Sequence, residues 1–147
     1  MQTKQHPTYT IVKNKKDAEA EGWGFYDNTG KMEKVYFNFP PVGDDELRIK
    51  TTYSGLCHSD LHCVTEDWGP VPNRPILPGH EILGIVTHVG KNVKDWKVGE
   101  KAGFGCFRDY CGKCKNCGDG LDNLCRDPTL DRFTFFGAHW GGYGDHV

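Results

Sequence analysis

Cys111-Gly112-Lys113-Cys114-Lys115-Asn116-Cys117-Gly118-Asp119-Gly120-Leu121-Asp122-Asn123-Leu124-Cys125 carries four thiols at the spacing C-x2-C-x2-C-x7-C. Thiols two residues apart chelate one ion because the intervening turn points both sulfurs inward. Four of them make the closed tetrahedral shell of structural zinc. Gly112, Gly118 and Gly120 are expected to let the backbone wrap tightly, and Lys113 and Lys115 to offset part of the thiolate charge. An iron–sulfur cluster is the rival, since C-x2-C-x2-C also opens a ferredoxin run. That run then takes its fourth Cys after three residues, followed by Pro; here the gap is seven and Arg126 follows. The expectation is a structural, redox-inactive zinc lobe over 106–126 whose ion contributes folding free energy.

Around this lobe the chain reads as mostly β with one or two short helices. Its 147 residues suffice for one domain with a core. Hydrophobic residues at 37% and charged residues at 26% are a globular composition. A net charge of -2 gives no electrostatic footprint for nucleic acid, so no such partner is expected. Apolar runs are too short for a membrane span. With no secretory h-region, the expected location is cytoplasmic, although an organelle address stays open. Seven cysteines, an odd number, argue against a disulfide framework; Cys63 and Cys106 read as small buried hydrophobes.

Nineteen Gly and eight Pro suit many short strands and tight turns. Strands are expected at Leu47–Tyr53, Ile82–Val89, Ala102–Gly105, Phe133–Phe136 and from Tyr143 to Val147. A short helix is expected over Ser59–Val64, with Ser59 or Asp60 as N-cap. Residues 1–21 read as a polar arm.

A second constellation lies upstream. Cys57, His80 and Glu81 supply thiolate, imidazole and carboxylate, a set suited to a catalytic zinc with an open position. Asp60 is placed to hold the second nitrogen of His80.

Cys57-His58-Ser59-Asp60, Gly79-His80-Glu81 and the cysteine loop, in that order, resemble the zinc-dependent medium-chain alcohol dehydrogenases, and most closely the cinnamyl alcohol dehydrogenase group. The likeness extends through Gly22-Trp23-Gly24-Phe25, Trp68-Gly69, Lys97-Val98-Gly99-Glu100 and Gly141-Gly142-Tyr143, and so covers about 22–147. It implies a GroES-like catalytic domain, a partly open β-barrel with short helices. It also implies an NADP(H)-dependent oxidoreductase acting on a small alcohol or aldehyde. Residue by residue, it implies Cys57 and His80 as ligands of a catalytic zinc and Glu81 as an alternate ligand. Ser59 would begin the proton relay and His62 continue it. Asp60 would orient His80, Trp68 would line the substrate pocket, and His58 would lie near the cofactor phosphates. For His62 and Trp68, a helix-surface histidine and a core tryptophan are the competing readings.

The resemblance also implies a Rossmann domain with a G-x-G-x-x-G/A turn, which these residues do not contain; Gly103-Phe104-Gly105 lacks the third glycine. A further zinc ligand is implied beyond Val147. Two functions therefore stand. One is the catalytic domain of an alcohol/aldehyde dehydrogenase, completed by another polypeptide over its cofactor cleft, with Trp68, Phe135, Phe136, Trp140 and Tyr143 near that face. The other is a non-catalytic, zinc-stabilised structural or interaction subunit.

Overall fold

The computed structural model describes residues 9–71, 73–130, 132–134 and 139–147. Six strands follow in chain order: β1 (Thr10–Val12), β2 (Ala20–Gly24), β3 (Glu33–Asn38), β4 (Leu47–Ser54), β5 (Ile82–Val89) and β6 (Lys101–Phe104). Two short helices accompany them, α1 (His58–Thr65) and α2 (Lys115–Gly118). The strands form two three-stranded sheets, ordered β1-β3-β2 and β4-β5-β6. Every strand pair among the described residues is antiparallel, so they hold no parallel βαβ unit of the dinucleotide-binding kind.

Alternation explains the strands. In β3, Val35 and Phe37 are fully buried while Glu33 faces water. In β5, Ile82 and Val86 are buried while Leu83 between them is exposed. This period of two puts one face of each sheet on a core. The β1-β3-β2 core joins Ala20, Val35, Phe37 and Leu77, packed against Tyr9, Phe39 and Trp140. The β4-β5-β6 core joins Ile49, Val86 and Ala102, packed against Leu47, Val89, Phe104 and Val147.

The segment 143–147 joins the sheets. Trp23 N–H donates to Tyr143 O at 3.0 Å and Asp145 N–H to Glu21 O at 3.0 Å, while Thr51 N–H donates to Asp145 O at 2.9 Å. Ile49 and Val147 exchange bonds of 2.8 and 2.9 Å. One segment thus pairs with β2 on one side and β4 on the other, but through isolated bridges and not a regular ladder. The fold is mostly β, and its two three-stranded sheets do not close into one barrel.

Several expectations are corrected. Strands β1 to β3 were not assigned from sequence. Within the stretch expected as a polar arm, Thr10–Val12 pairs with β3 and Ala20 is buried, so sheet pairing and a core contact override its polar composition; residues 1–8 lie outside the described residues. Helix α1 starts one residue earlier than expected. Cys57 is its N-cap, and Asp60, three residues on, accepts the Cys57 N–H at 3.0 Å. Of the strand expected over Phe133–Phe136, Phe133 makes a single bridge to Phe107, and Phe135 and Phe136 lie outside the described residues. No helix among the described residues is long and apolar enough to cross a membrane.

Phe37 is the keystone of the first core: Tyr9, Phe39 and Trp140 all meet its ring edge-on, at centroid distances of 5.5, 5.5 and 4.8 Å. Phe37→Ala is expected to lower stability by about 3–5 kcal/mol, read from urea unfolding. A loss below about 1 kcal/mol would show that this aromatic layer does not act as a core.

Candidate metal and catalytic site

The four sulfurs of Cys111, Cys114, Cys117 and Cys125 lie within 4.8 Å of one another. Cys114 Sγ is 3.5 Å and Cys111 Sγ 3.9 Å from Cys117 Sγ. A tetrahedral zinc with bonds of about 2.3 Å needs sulfurs about 3.8 Å apart, so the donor set fits that ion. Cys111 N–H points at Cys125 Sγ and Cys114 N–H at Cys111 Sγ, at 3.5 and 3.3 Å. Backbone N–H groups of Lys113 and Cys114 hold the Cys111 thiol down to about 7. Lost hydration and the Cys114 thiol push Cys117 up to about 12. Thiols this close ionise together only when a cation shares their charge. Gly112 and Gly120 adopt positive φ of 67° and 75°, as the tight wrap demands, but Gly118 does not. Lys115 pairs with Asp119, so its ammonium is directed there and is not reserved for the thiolates. The lobe is anchored by backbone bonds from Arg108 N to Arg132 O at 2.9 Å and Thr134 N to Cys106 O at 3.0 Å.

Just before β5, the donor atoms of Cys57, His80 and Glu81 also lie within 4.8 Å of one another. Thiolate, imidazole and carboxylate in that compass fit a zinc that keeps a position open. Asp60, only 3% exposed, sits behind them. Its Oδ1 is 3.2 Å from His80 Nδ1 and accepts Gly79 N–H at 2.9 Å. Its Oδ2 accepts Cys57 N–H at 3.0 Å and the Tyr143 hydroxyl at 3.2 Å. The His80 Nδ1 contact turns Nε2 toward the cluster, the arrangement metal-bound imidazoles use. Gly79, at φ 102°, makes the turn that delivers His80. Ser59 Oγ lies 3.2 Å from both Cys57 Sγ and His80 Nε2.

Residues 43–147 match the family model described as the alcohol dehydrogenase GroES-like domain. The chain belongs to this family. It is 40% identical over 134 residues to a probable mannitol dehydrogenase of Medicago sativa and 37% identical over 135 residues to probable cinnamyl alcohol dehydrogenase 6 of Arabidopsis thaliana. Each match covers 88% of this chain and 36% of the relative, so the chain spans about a third of their length. Among solved structures, a cinnamyl alcohol dehydrogenase from Sorghum bicolor superposes with a TM-score of 0.74 at 34% identity, covering 87% of this chain and 37% of that one. The Helicobacter pylori enzyme complexed with NADP(H) gives 0.74 at 28%, covering 88% and 39%.

In this alcohol dehydrogenase GroES-like domain the surroundings of the three-donor cluster add residues that sequence reasoning missed. Tyr143, expected on a cleft face, instead carries its hydroxyl to Asp60; burial and the Asp60 charge push that phenol well above its ordinary range, which keeps it a donor. Asp67 holds His62, with Oδ2 2.7 Å from Nδ1. The carboxylate five residues after His62 was the available signal. Of the five aromatics expected near the cleft, Trp68 is 58% exposed. Trp140 stacks on Tyr9 at 4.3 Å and belongs to the core, while Phe135 and Phe136 lie outside the described residues. Leu56 and Leu61 join Trp68 as exposed apolar groups on or beside α1. Cys63 is buried as expected, and burial raises its thiol to about 12. Cys106 is only partly buried. A cavity of about 440 Å3 among Phe39, Arg48, Trp96 and Trp140 contains none of the expected ligands, whereas one of about 640 Å3 is lined by Cys111 and Cys114.

Two outcomes follow from this geometry. Asp60→Ala leaves Cys57 N–H, Gly79 N–H, His80 and Tyr143 without their shared acceptor. It is expected to cost about 3 kcal/mol in urea unfolding; a change within about 0.5 kcal/mol would contradict the tie. Cys114→Ala is expected to release one zinc per chain and to loosen the lobe, seen as faster amide exchange over 111–125. Iron content with visible charge-transfer absorption would overturn the zinc assignment.

Proposed function

We propose that this domain is the zinc-binding catalytic part of an NADP(H)-dependent alcohol/aldehyde oxidoreductase. The observation that carries the reading is the convergence of Cys57, His80 and Glu81 over a buried Asp60. Cys57 and His80 would hold the ion, with Glu81 as an exchangeable ligand. A zinc held there supplies Lewis acidity that polarises a carbonyl or acidifies an alcohol, and the nicotinamide supplies or takes the hydride.

The chain's own residues do the rest. Asp60 keeps the His80 ring turned so that Nε2, not Nδ1, faces the reacting end. The Ser59 hydroxyl, at the mouth of the cluster, passes the alcohol proton on. His62 lies three residues later on the same face of α1, and Asp67 holds its Nδ1, which suits it to receive that proton. Trp68, packed at a tilt against His62 at 5.0 Å, would shape the substrate end. His58 would face the cofactor phosphates.

The described residues offer no strand–glycine turn–helix cradle for a pyrophosphate, so the reading assigns cofactor binding to another polypeptide segment. That segment would cover the exposed Leu56, Leu61 and Trp68 beside the cluster. A disulfide-free, thiol-rich chain suits a reducing compartment such as the cytoplasm.

Metal counting tests the proposal. The chain is expected to bind two zinc ions, and Cys57→Ala one. Graded chelation should empty the three-donor cluster before the four-cysteine lobe, because fewer protein ligands hold the ion. Equal zinc in wild type and variant would reject the catalytic reading in favour of a structural module.

A further inference from the structure

Helix α1 carries two imidazoles that neither cysteine-containing cluster uses. His58 and His62 are one turn apart, so both project from one face, and their ring centroids lie 4.6 Å apart. His62 Nδ1 is engaged 2.7 Å from Asp67 Oδ2, which leaves Nε2 as the outward nitrogen. Trp68 packs on the His62 ring at 5.0 Å and 34° and restrains its rotation. The hydrogen bond from His62, followed by one from Thr65, holds the Asp67 carboxyl below its ordinary range. His58 is exposed to solvent. Two histidines at i and i+4, one of them backed by a carboxylate through its inner nitrogen, reproduce the way helices hold divalent transition metals.

We infer that His58 and His62 form a separate bidentate site for a borderline divalent ion, Zn2+, Ni2+ or Cu2+, with Asp67 as the outer carboxylate and water completing the shell. Imidazole nitrogen selects these ions over Mg2+ and Ca2+. Two protein ligands make the site weaker than either cysteine-containing cluster, so it fills only when metal is in excess. An ion there takes the Nε2 of His62. If the proposed relay is correct, that removes the proton acceptor and makes excess metal inhibitory; the site itself does not depend on that reading.

The test is a calorimetric Ni2+ titration of the full 147-residue chain already loaded with zinc, repeated in excess Mg2+. One Ni2+ equivalent is expected, unmoved by Mg2+ and absent from His58→Asn. Asp67→Asn should weaken it by about 10- to 100-fold, the usual effect of losing the carboxylate behind a metal-bound imidazole. Both substitutions are at exposed positions, and circular dichroism checks that the variants are folded. Cys57→Ala should keep the equivalent. Undiminished binding in folded His58→Asn would overturn the inference, as would loss of the site in Cys57→Ala, which would mean that Ni2+ enters the three-donor cluster. Failure to find zinc at Cys57 and His80 would reject the catalytic reading and leave this site standing.

Discussion

The buried carboxylate of Asp60 is the constraint on which the rest of the site depends. It accepts from the N-cap of α1, from the Gly79-His80 turn and from Tyr143 in the segment that joins the two sheets. Those groups come from three separate stretches of chain. A charge this deep is tolerated only when its lone pairs are matched by donors, so the three stretches hold one another in place through it. The direction in which His80 presents Nε2, and the seat of Cys57 at the head of the helix, both follow from that match.

The two cysteine-containing clusters are built on opposite principles. The lobe from Cys111 to Cys125 is local in sequence, so closing it costs little chain entropy. It has almost no core of its own: among its residues only Cys125 is buried, and Leu121 and Leu124 are exposed. Metal ligation therefore replaces packing as its source of order. The Cys57–His80–Glu81 cluster draws its rigidity from β5, α1 and the buried Asp60. Its geometry belongs to the protein core, which suits a site that leaves ligand positions open.

Polar satisfaction and apolar exposure also divide cleanly. The Nδ1 atoms of His80 and His62 are engaged by Asp60 and Asp67 respectively. Leu56 and Trp68, close by, remain largely in contact with water. In the proposed reading, a ligand or a second polypeptide segment would cover that apolar rim.

Local spacing was legible in the residues alone. The four-cysteine lobe and strands β4 to β6 rest on nearest-neighbour chemistry, chelate spacing and alternation, whereas Cys57 and the His80-Glu81 pair were legible only as available ligand types. The early strands were not legible, because β1 is three residues long and β2 contains two glycines. Their packing is stabilised by Leu77 and Trp140 from elsewhere in the chain. The role of Tyr143 was equally hidden, since a lone hydroxyl 83 residues from Asp60 carries no periodic signature. Sequence alone determined which atoms are available to bind metal, because that follows from residue type and short spacing. Only the tertiary structure decided which of them meet and which way each ring faces, because both depend on buried hydrogen bonds between residues as far apart as Asp60 and Tyr143.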